Sequence, residues 1–303
     1  MIEVLRAGVC DLVMDRGRPG HAALGVPAGG AADPDALAAA NRLVGNPDDA
    51  AGLEITLAGP RLRFPAGGVA AITGARFAAR FGSGGQVAWN ETLLIAPGDT
   101  LDVGAAQDGC RCWLAAQGGI AVPAVMGSRS TFLPAGFGGH AGRALKRGDV
   151  LALGGERHPV RRLRADPPAI DVASPLRLVA GPQSAWFDDR GLAALFAGSY
   201  RVAPTSDRRG VRLNGPAVTH ARAELPSQGV LPGAVQVPPD GQPIVLGWDG
   251  PVTGGYPVVG AVITADLPRL AQLRPGDALR FSTVDVAVAR ALATGEWSIE
   301  EAV

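Results

Sequence analysis

The sequence predicts a mainly β chain in two domains with a few short helices, and three observations carry that prediction. Glycine and proline, 43 and 25 of 303 residues, make up about a fifth of the chain, a share that in a polar sequence would signal disorder. Here apolar residues reach 47% and fall in short runs throughout, which suits many strands and tight turns. The helical period is absent from residues 69–119. A turn-strand unit also recurs three times: Ala96-Pro97-Gly98-Asp99-Thr100-Leu101, Lys146-Arg147-Gly148-Asp149-Val150-Leu151 and Arg274-Pro275-Gly276-Asp277-Ala278-Leu279. Glycine supplies a positive φ and aspartate bonds the neighbouring backbone, so Gly-Asp before an apolar run is a turn with a mechanism. Two copies precede and one follows the linker-like composition of residues 157–168. The expected division is therefore a domain over residues 1–165 and a related one over 170–303.

Taken in order, residues 2–13 read as two short strands around Ala7-Gly8. Residues 14–20 form a tight, charged loop in which Asp15 and Arg18 make either a structural ion pair or an anion clamp. Asp33 caps a short amphipathic helix with Pro34 at its first position. Leu37, Ala40, Leu43 and Val44 share its buried face, and Gly45 with Asn46-Pro47 stops it. The strand at 53–57 puts Glu54 and Thr56 on one face, either a solvated surface or part of a site. Further strands are expected at 69–73, 92–95, 100–103 and 111–116. Residues 126–131 are a polar loop whose Ser128, Arg129 and Ser130 suit an oxyanion, through hydroxyls and backbone N–H groups; the glycine-rich segment 136–140 follows. Beyond the linker come a strand at 176–179, a helix at 188–196 and a run in which Asp207 neighbours Arg208 and Arg212. That run reads as a solvated turn or as a carboxylate-oriented arginine for an acidic substrate. Strands at 235–237 and 244–246 flank Pro238-Pro239-Asp240-Gly241, a hairpin turn. Ser227, Gln228, Gln236, Asp249, Thr253 and Tyr256 stand at the breaks around this hairpin, where strand ends present groups to a ligand. Residues 282–303 carry a helical pattern in Val284, Val288, Ala291 and Leu292, expected as a packed closing helix.

Composition excludes several function classes. Formal net charge is zero, from 28 basic and 28 acidic residues, which gives phosphate neutralisation and hence nucleic-acid binding poor support. The basic cluster from Arg157 to Arg164 reads as a solvated linker. Lys146 is the only lysine and stands in no P-loop. Cys10, Cys110 and Cys112 give no disulfide framework and no metal site, so no metal is expected. His21, His140, His158 and His220 are scattered, and no serine-hydrolase elbow or His-Glu-x-x-His motif is present. No leader-like amino terminus or long apolar run is visible, so the expected location is the cytoplasm.

A series of motifs then resembles the carboxyltransferase-like family that includes the C subunit of 5-oxoprolinase (also called allophanate hydrolase subunit 2), the KipI antagonist and the carboxyltransferase domain of urea carboxylase. The matching residues are Asp15, Gly17, Arg18 and Gly20; Gly127-Ser128-Arg129-Ser130-Thr131; Ser206-Asp207-Arg208 with Gly210, Arg212-Leu213 and Gly215; Ser227-Gln228-Gly229-Val230; Pro232 through Pro243; Thr253-Gly254-Gly255-Tyr256-Pro257; and Ala265-Asp266-Leu267-Pro268-Arg269-Leu270. The resemblance implies two cyclophilin-like β-barrel domains and action as a subunit of a heteromer. Its first implication for function is an ATP-dependent hydrolase, 5-oxoprolinase, that opens 5-oxoproline to glutamate with its A and B subunits (the latter KipI-like). ATP is then bound by the complex rather than by this chain. The alternatives are a biotin-dependent carboxyltransferase subunit, with biotin on a separate carrier, and a non-catalytic regulatory partner of a KipI-like protein. Asp249, Thr253 and Tyr256 are the candidate catalytic residues. Asp15, Arg18, Glu54, Ser128, Arg129, Ser130, Asp207, Arg208 and Gln236 are the candidates for substrate binding. One departure stands out. Where relatives carry Asp-Arg-Gln-Thr-Thr, this chain has Asp249-Gly250-Pro251-Val252-Thr253, losing an arginine, a glutamine and a threonine together.

Overall fold

The computed structural model describes residues 1–155, 159–168, 174–221, 225–292 and 297–302. Arg157 and His158 of the basic cluster lie outside the described residues. The chain forms two compact units, Met1–Arg18 with Gly29–Pro168 and Glu296–Val303, and Pro19–Ala28 with Ala169–Gly295. Compared with a single cut between residues 165 and 170, the segment Pro19–Ala28 goes with the second unit and the C-terminal strand with the first.

The first unit contains β1 (Ile2–Arg6), β2 (Cys10–Met14), α1 (Pro34–Leu43), β3 (Gly52–Thr56), β4 (Arg61–Arg63), β5 (Gly68–Gly74), β6 (Phe77–Phe81), β7 (Thr92–Ile95), β8 (Thr100–Ala106), β9 (Arg111–Ala116), β10 (Val150–Leu151) and β11 (Leu163–Asp166). Strands β1 to β10 form two five-stranded sheets, in the orders β10-β1-β4-β8-β6 and β2-β3-β9-β5-β7. The two expected N-terminal strands are present, but they belong to different sheets. Alternation explains the core: Ile2, Val4, Leu62, Leu101 and Val103 from one sheet meet Val13, Leu53, Ile55, Ile72 and Leu114 from the other, all buried. The outer face of the second sheet is closed by α1, whose Ala40 and Leu43 pack with Val69, Ala71 and Ala115. The Asp33 carboxylate accepts from the backbone N–H of Ala36 (2.9 Å) and Asp35 (3.2 Å), as an N-cap should.

The second unit contains β12 (Leu176–Ala180), α2 (Asp189–Ala197), β13 (Tyr200–Val202), β14 (Gly210–Asn214), β15 (Gln228–Gly229), β16 (Ala234–Gln236), β17 (Ile244–Leu246), β18 (Thr253–Gly254), β19 (Val258–Val262), α3 (Leu267–Gln272), β20 (Ala278–Leu279), β21 (Phe281–Thr283) and α4 (Val286–Ala291). Eight strands form one sheet in the order β20-β13-β14-β17-β16-β19-β12-β21. Its two edge strands, β20 and β21, are separated in the chain by Arg280 alone, so the sheet curls round until it is nearly a closed barrel. Leu176, Leu178, Tyr200, Leu213, Val235, Val245 and Phe281 are buried inside it. The pair β15-β18 forms a separate two-stranded flap. The last strand, β22 (Ser298–Glu301), pairs with β11 of the first unit. The expected closing helix is replaced by α4 and β22. With six residues, α4 is too short to bury a face, and it buries none of its side chains.

The three repeated turns have one geometry. In each, a glycine at φ 83°, 90° or 90° (Gly98, Gly148, Gly276) precedes the aspartate. The glycine N–H donates to Phe64, Val4 or Val202, and that same residue's N–H donates back to the aspartate carbonyl. Two copies lie in the first unit and one in the second, so the sequence repeat marks the same kind of turn in both units. Among the described residues, no helix is long and apolar enough to cross a membrane, and no group of three or more His, Cys, Asp or Glu side chains could hold a metal ion.

Two buried carboxyls give the fold a pH dependence. Burial pushes Asp11 and Asp33 each up to about 6. Asp11 points into the first core, where its Oδ2 accepts from Gly8 N–H (2.6 Å) while its Oδ1 has no hydrogen bond. Between about pH 4 and pH 6 the folded chain holds protons that the unfolded chain has released, so stability falls as pH rises through that window. Each carboxyl contributes at most about 3 kcal/mol. Urea unfolding should therefore give a higher midpoint at pH 5 than at pH 7, and Asp11→Asn should remove roughly half of the difference. Equal midpoints for the parent chain would refute this assignment.

Candidate functional site

The candidate residues divide between the two units. In the first, Asp15 follows β2 and Ser128, Arg129 and Ser130 come from the 126–131 loop. Asp15 Oδ1 accepts from the hydroxyls of Ser128 and Ser130 (2.6 Å each) and from Gly17 N–H (2.8 Å); its Oδ2 accepts from Arg129 N–H (2.5 Å). The loop thus does bind an oxyanion through hydroxyls and backbone N–H groups, but the anion is the protein's own carboxylate. Arg18 is not paired with Asp15. Its guanidinium donates to the carbonyls of Val125 and Ser130 and lies over the Phe137 ring, 5.0 Å from the centroid. Glu54 is fully buried: Oε2 accepts from Ala32 N–H (2.7 Å) and Trp113 Nε1–H (3.3 Å), and Oε1 lies 3.5 Å from Arg111. Glu54 is covered by the segment leading into α1 rather than by water, and its carboxylate anchors that entry, while Thr56 on the same face is half-buried.

In the second unit the sequence neighbours are not the partners. Asp207 is exposed and pairs with Arg209 (3.0 Å). Arg208 is buried and reaches Asp249 across the sheet, Nε to Oδ2 at 2.8 Å and Nη2 to Oδ1 at 3.2 Å. Both sit at strand ends, Arg208 just before β14 and Asp249 just after β17, and these strands pair through Gly210 and Leu246. Asp249 N–H also donates to the Arg208 carbonyl (3.0 Å). The altered segment after Asp249 is built for glycine: a Cβ at Gly250 would lie 2.8 Å from the Arg209 carbonyl oxygen and 2.9 Å from that of Gly247. The arginine carried here by relatives would need a different backbone path.

Gln236 borders the flap strand β18 at Gly254 and the segment after it at the Tyr256 carbonyl; Thr253 and Tyr256 belong to that same segment. Gln236 lies on the outer face of the barrel beside the apolar cluster of Ala234, Leu246 and Val258, with Val230 and Ile244 packed against it. Its side chain is 4% exposed, and its Nε2 donates to the Tyr256 carbonyl at a long 3.5 Å. A buried primary amide with so weak a bond retains donor and acceptor capacity. Beside it, a Cβ at Gly254 would run into the Gln236 amide nitrogen, so only glycine leaves the amide room. Thr253 and Tyr256 are exposed at the flap. The region therefore holds one buried amide over an apolar floor and two exposed hydroxyls in the adjoining segment, groups of the kind that polarise a carbonyl.

Sequence reasoning undervalued Gln183 and Gln228, whose amides bond reciprocally at 3.0 and 2.9 Å. Their signal was there in Gly181-Pro182-Gln183 after a strand and in Ser227-Gln228-Gly229 at the flap.

A family model described as carboxyltransferase domain, subdomain A and B, matches residues 24–283. The chain belongs to the carboxyltransferase-domain family. It is 39% identical over 283 residues to the C subunit of 5-oxoprolinase from Escherichia coli, covering 93% of this chain and 90% of that one. It is 32% identical to the corresponding 5-oxoprolinase C subunit of Haemophilus influenzae, covering 94% of this chain and 92% of that one. Among solved structures, the Kluyveromyces lactis urea carboxylase superposes with a TM-score of 0.87 at 33% identity, covering 95% of this chain but only 28% of that one. Within the carboxyltransferase-domain family, then, the same two-unit body occurs as a separate subunit and as a part of a much longer enzyme.

Proposed function

We propose that this chain is the C subunit of an ATP-dependent 5-oxoprolinase, which opens the lactam of 5-oxoproline to glutamate together with A and B subunits and is inactive without them. The observation that carries this reading is the match to the E. coli 5-oxoprolinase C subunit over nearly the full length of both chains, 93% and 90%. The chemistry of the flap face supports it. A lactam is a neutral amide whose carbonyl must be polarised before its C–N bond breaks, and Gln236, Thr253 and Tyr256 supply neutral donors for that carbonyl. The phosphates of ATP are assigned to the companion subunits, because the one lysine, Lys146, is exposed in a turn and no P-loop is present. Dependence on ATP makes the cytoplasm the working compartment.

Glutamate release from 5-oxoproline and ATP is the test, with A and B subunits from the same source mixed with this chain and each omitted in turn. Release is expected only from the full set. Turnover that persists without this chain would reject the reading. The urea carboxylase likeness favours a second reading, carboxyl transfer from carboxybiotin on another chain. Capture of the complex on avidin, with bicarbonate-dependent ATP turnover and no glutamate release, would establish that alternative instead.

A further inference from the structure

Gln183 touches both elements that frame Gln236. Its side chain is 7% exposed. Nε2 donates to Gln228 Oε1 (3.0 Å), while Oε1 accepts from Gln228 Nε2 (2.9 Å) and from the Val258 N–H (3.1 Å). Its own backbone N–H donates to the Val258 carbonyl (3.4 Å). Gln228 stands opposite Gly254 in the flap, and Gly254 borders the Gln236 amide. Val258 stands opposite Gln236 in the barrel, at a register shift: Val235 faces Gly260 but Gln236 faces Val258, so β19 carries one extra residue there. Such a bulge re-aims a side chain and leaves backbone groups off the ladder.

We propose that Gln183 is the positioning residue of this face. Through Gln228 it latches the flap, and through Val258 it fixes the bulge, so that one buried amide sets where Gln236, Thr253 and Tyr256 stand relative to one another. The flap needs such a latch, because its ladder is only two residue pairs long, Gln228 with Gly254 and Gly229 with Thr253. The claim rests on the reading of this face as the 5-oxoproline site.

The test uses the full chain with Gln183→Leu, which keeps the volume and removes the hydrogen bonds, and Gln183→Glu, which keeps the acceptors but lacks the donor to Gln228 until it is protonated. In the reconstituted complex Gln183→Leu should lower kcat/KM for 5-oxoproline by about tenfold or more, with KM raised, since sub-ångström to ångström misplacement has effects of this order. Amide exchange should accelerate at Val230, whose N–H donates to the Val252 carbonyl across the flap (3.0 Å), and at Val258, and not in the first unit. Activity of Gln183→Glu relative to the parent should rise as pH falls from 8 to 6, a signature that a merely structural role would not give. Where Gln183→Leu fails to fold, Gln228→Leu breaks the same pair from the flap side. Parent-like kinetics in Gln183→Leu overturn the proposal, with or without faster exchange. If the parent complex does not open 5-oxoproline, the functional reading fails; the exchange arm then decides the latch, which unchanged exchange at Val230 and Val258 would overturn.

Discussion

Replacing Arg208 by alanine is expected to destabilise the second unit by about 3–5 kcal/mol, the range found when one member of a buried ion pair is removed. Asp249 is 3% exposed and Arg208 7%, so the variant leaves a carboxylate in the barrel wall with no cation and little water. The fork geometry sharpens the expectation. Two guanidinium nitrogens meet two carboxylate oxygens at 2.8 and 3.2 Å, and lysine cannot reproduce that parallel pair. Arg208→Lys should fall between the parent and the alanine variant. The double variant Arg208→Met, Asp249→Leu should recover most of the loss, because it removes the unpaired charge along with the pair. Urea midpoints of the four proteins measure this directly. An Arg208→Ala chain with parent-like stability but a raised KM for 5-oxoproline would show that the guanidinium serves the substrate and not the barrel.

That pair also shows why part of the site was illegible in the sequence. Asp207 and Arg208 are adjacent, which invites reading them together, yet they point apart: Asp207 turns back on the backbone N–H groups of Arg209 and Gly210, while Arg208 reaches a residue 41 positions away. Local signals fared better where local physics decides. Asp33-Pro34 and Gly45 bracket α1 because capping and the left-handed turn need no tertiary partner, and each of the three Gly-Asp turns has a local closure, the aspartate N–H donating to the carbonyl three residues back, beside its bonds to a distant strand. The strands β4 and β6 escaped notice because Arg61, Arg63 and Arg80 face out on strands of three and five residues, too short to show a period. The apolar tail pattern misled in the opposite direction, since period alone does not supply a surface to pack against. Gln236 was legible as a polar residue at a strand end. Its dependence on Gln183 was not, because the bulge that joins them is a property of register.

Asp15→Ala is expected to cost the first unit on the order of 3–5 kcal/mol, although no ion pair is lost. The carboxylate accepts from two hydroxyls and two backbone N–H groups, and hydrogen bonds to a charged group each contribute about 1.5–3 kcal/mol; partial access of water to the freed donors keeps the total below their sum. Ser128 is 1% exposed and Ser130 fully buried, so their hydroxyls would find replacements poorly. The loss should be shared by distant parts of the chain, because these bonds join residue 15 to the 128–130 loop. Limited proteolysis should therefore open the 126–131 loop in Asp15→Ala before the unit melts. Ser130→Ala should cost less, about 1.5–3 kcal/mol, since it removes the hydroxyl bond to the carboxylate and the acceptor of the Asp15 N–H (2.9 Å) but leaves the other three carboxylate bonds. The serine substitution should lose part of its effect in the Asp15→Ala background, since the carboxylate partner is gone while the N–H of residue 15 remains. Full additivity of the two would mean that the serine hydroxyl and the carboxylate act separately, and a stable Asp15→Ala chain that no longer supports 5-oxoproline turnover would return the carboxylate to the list of groups that face a ligand.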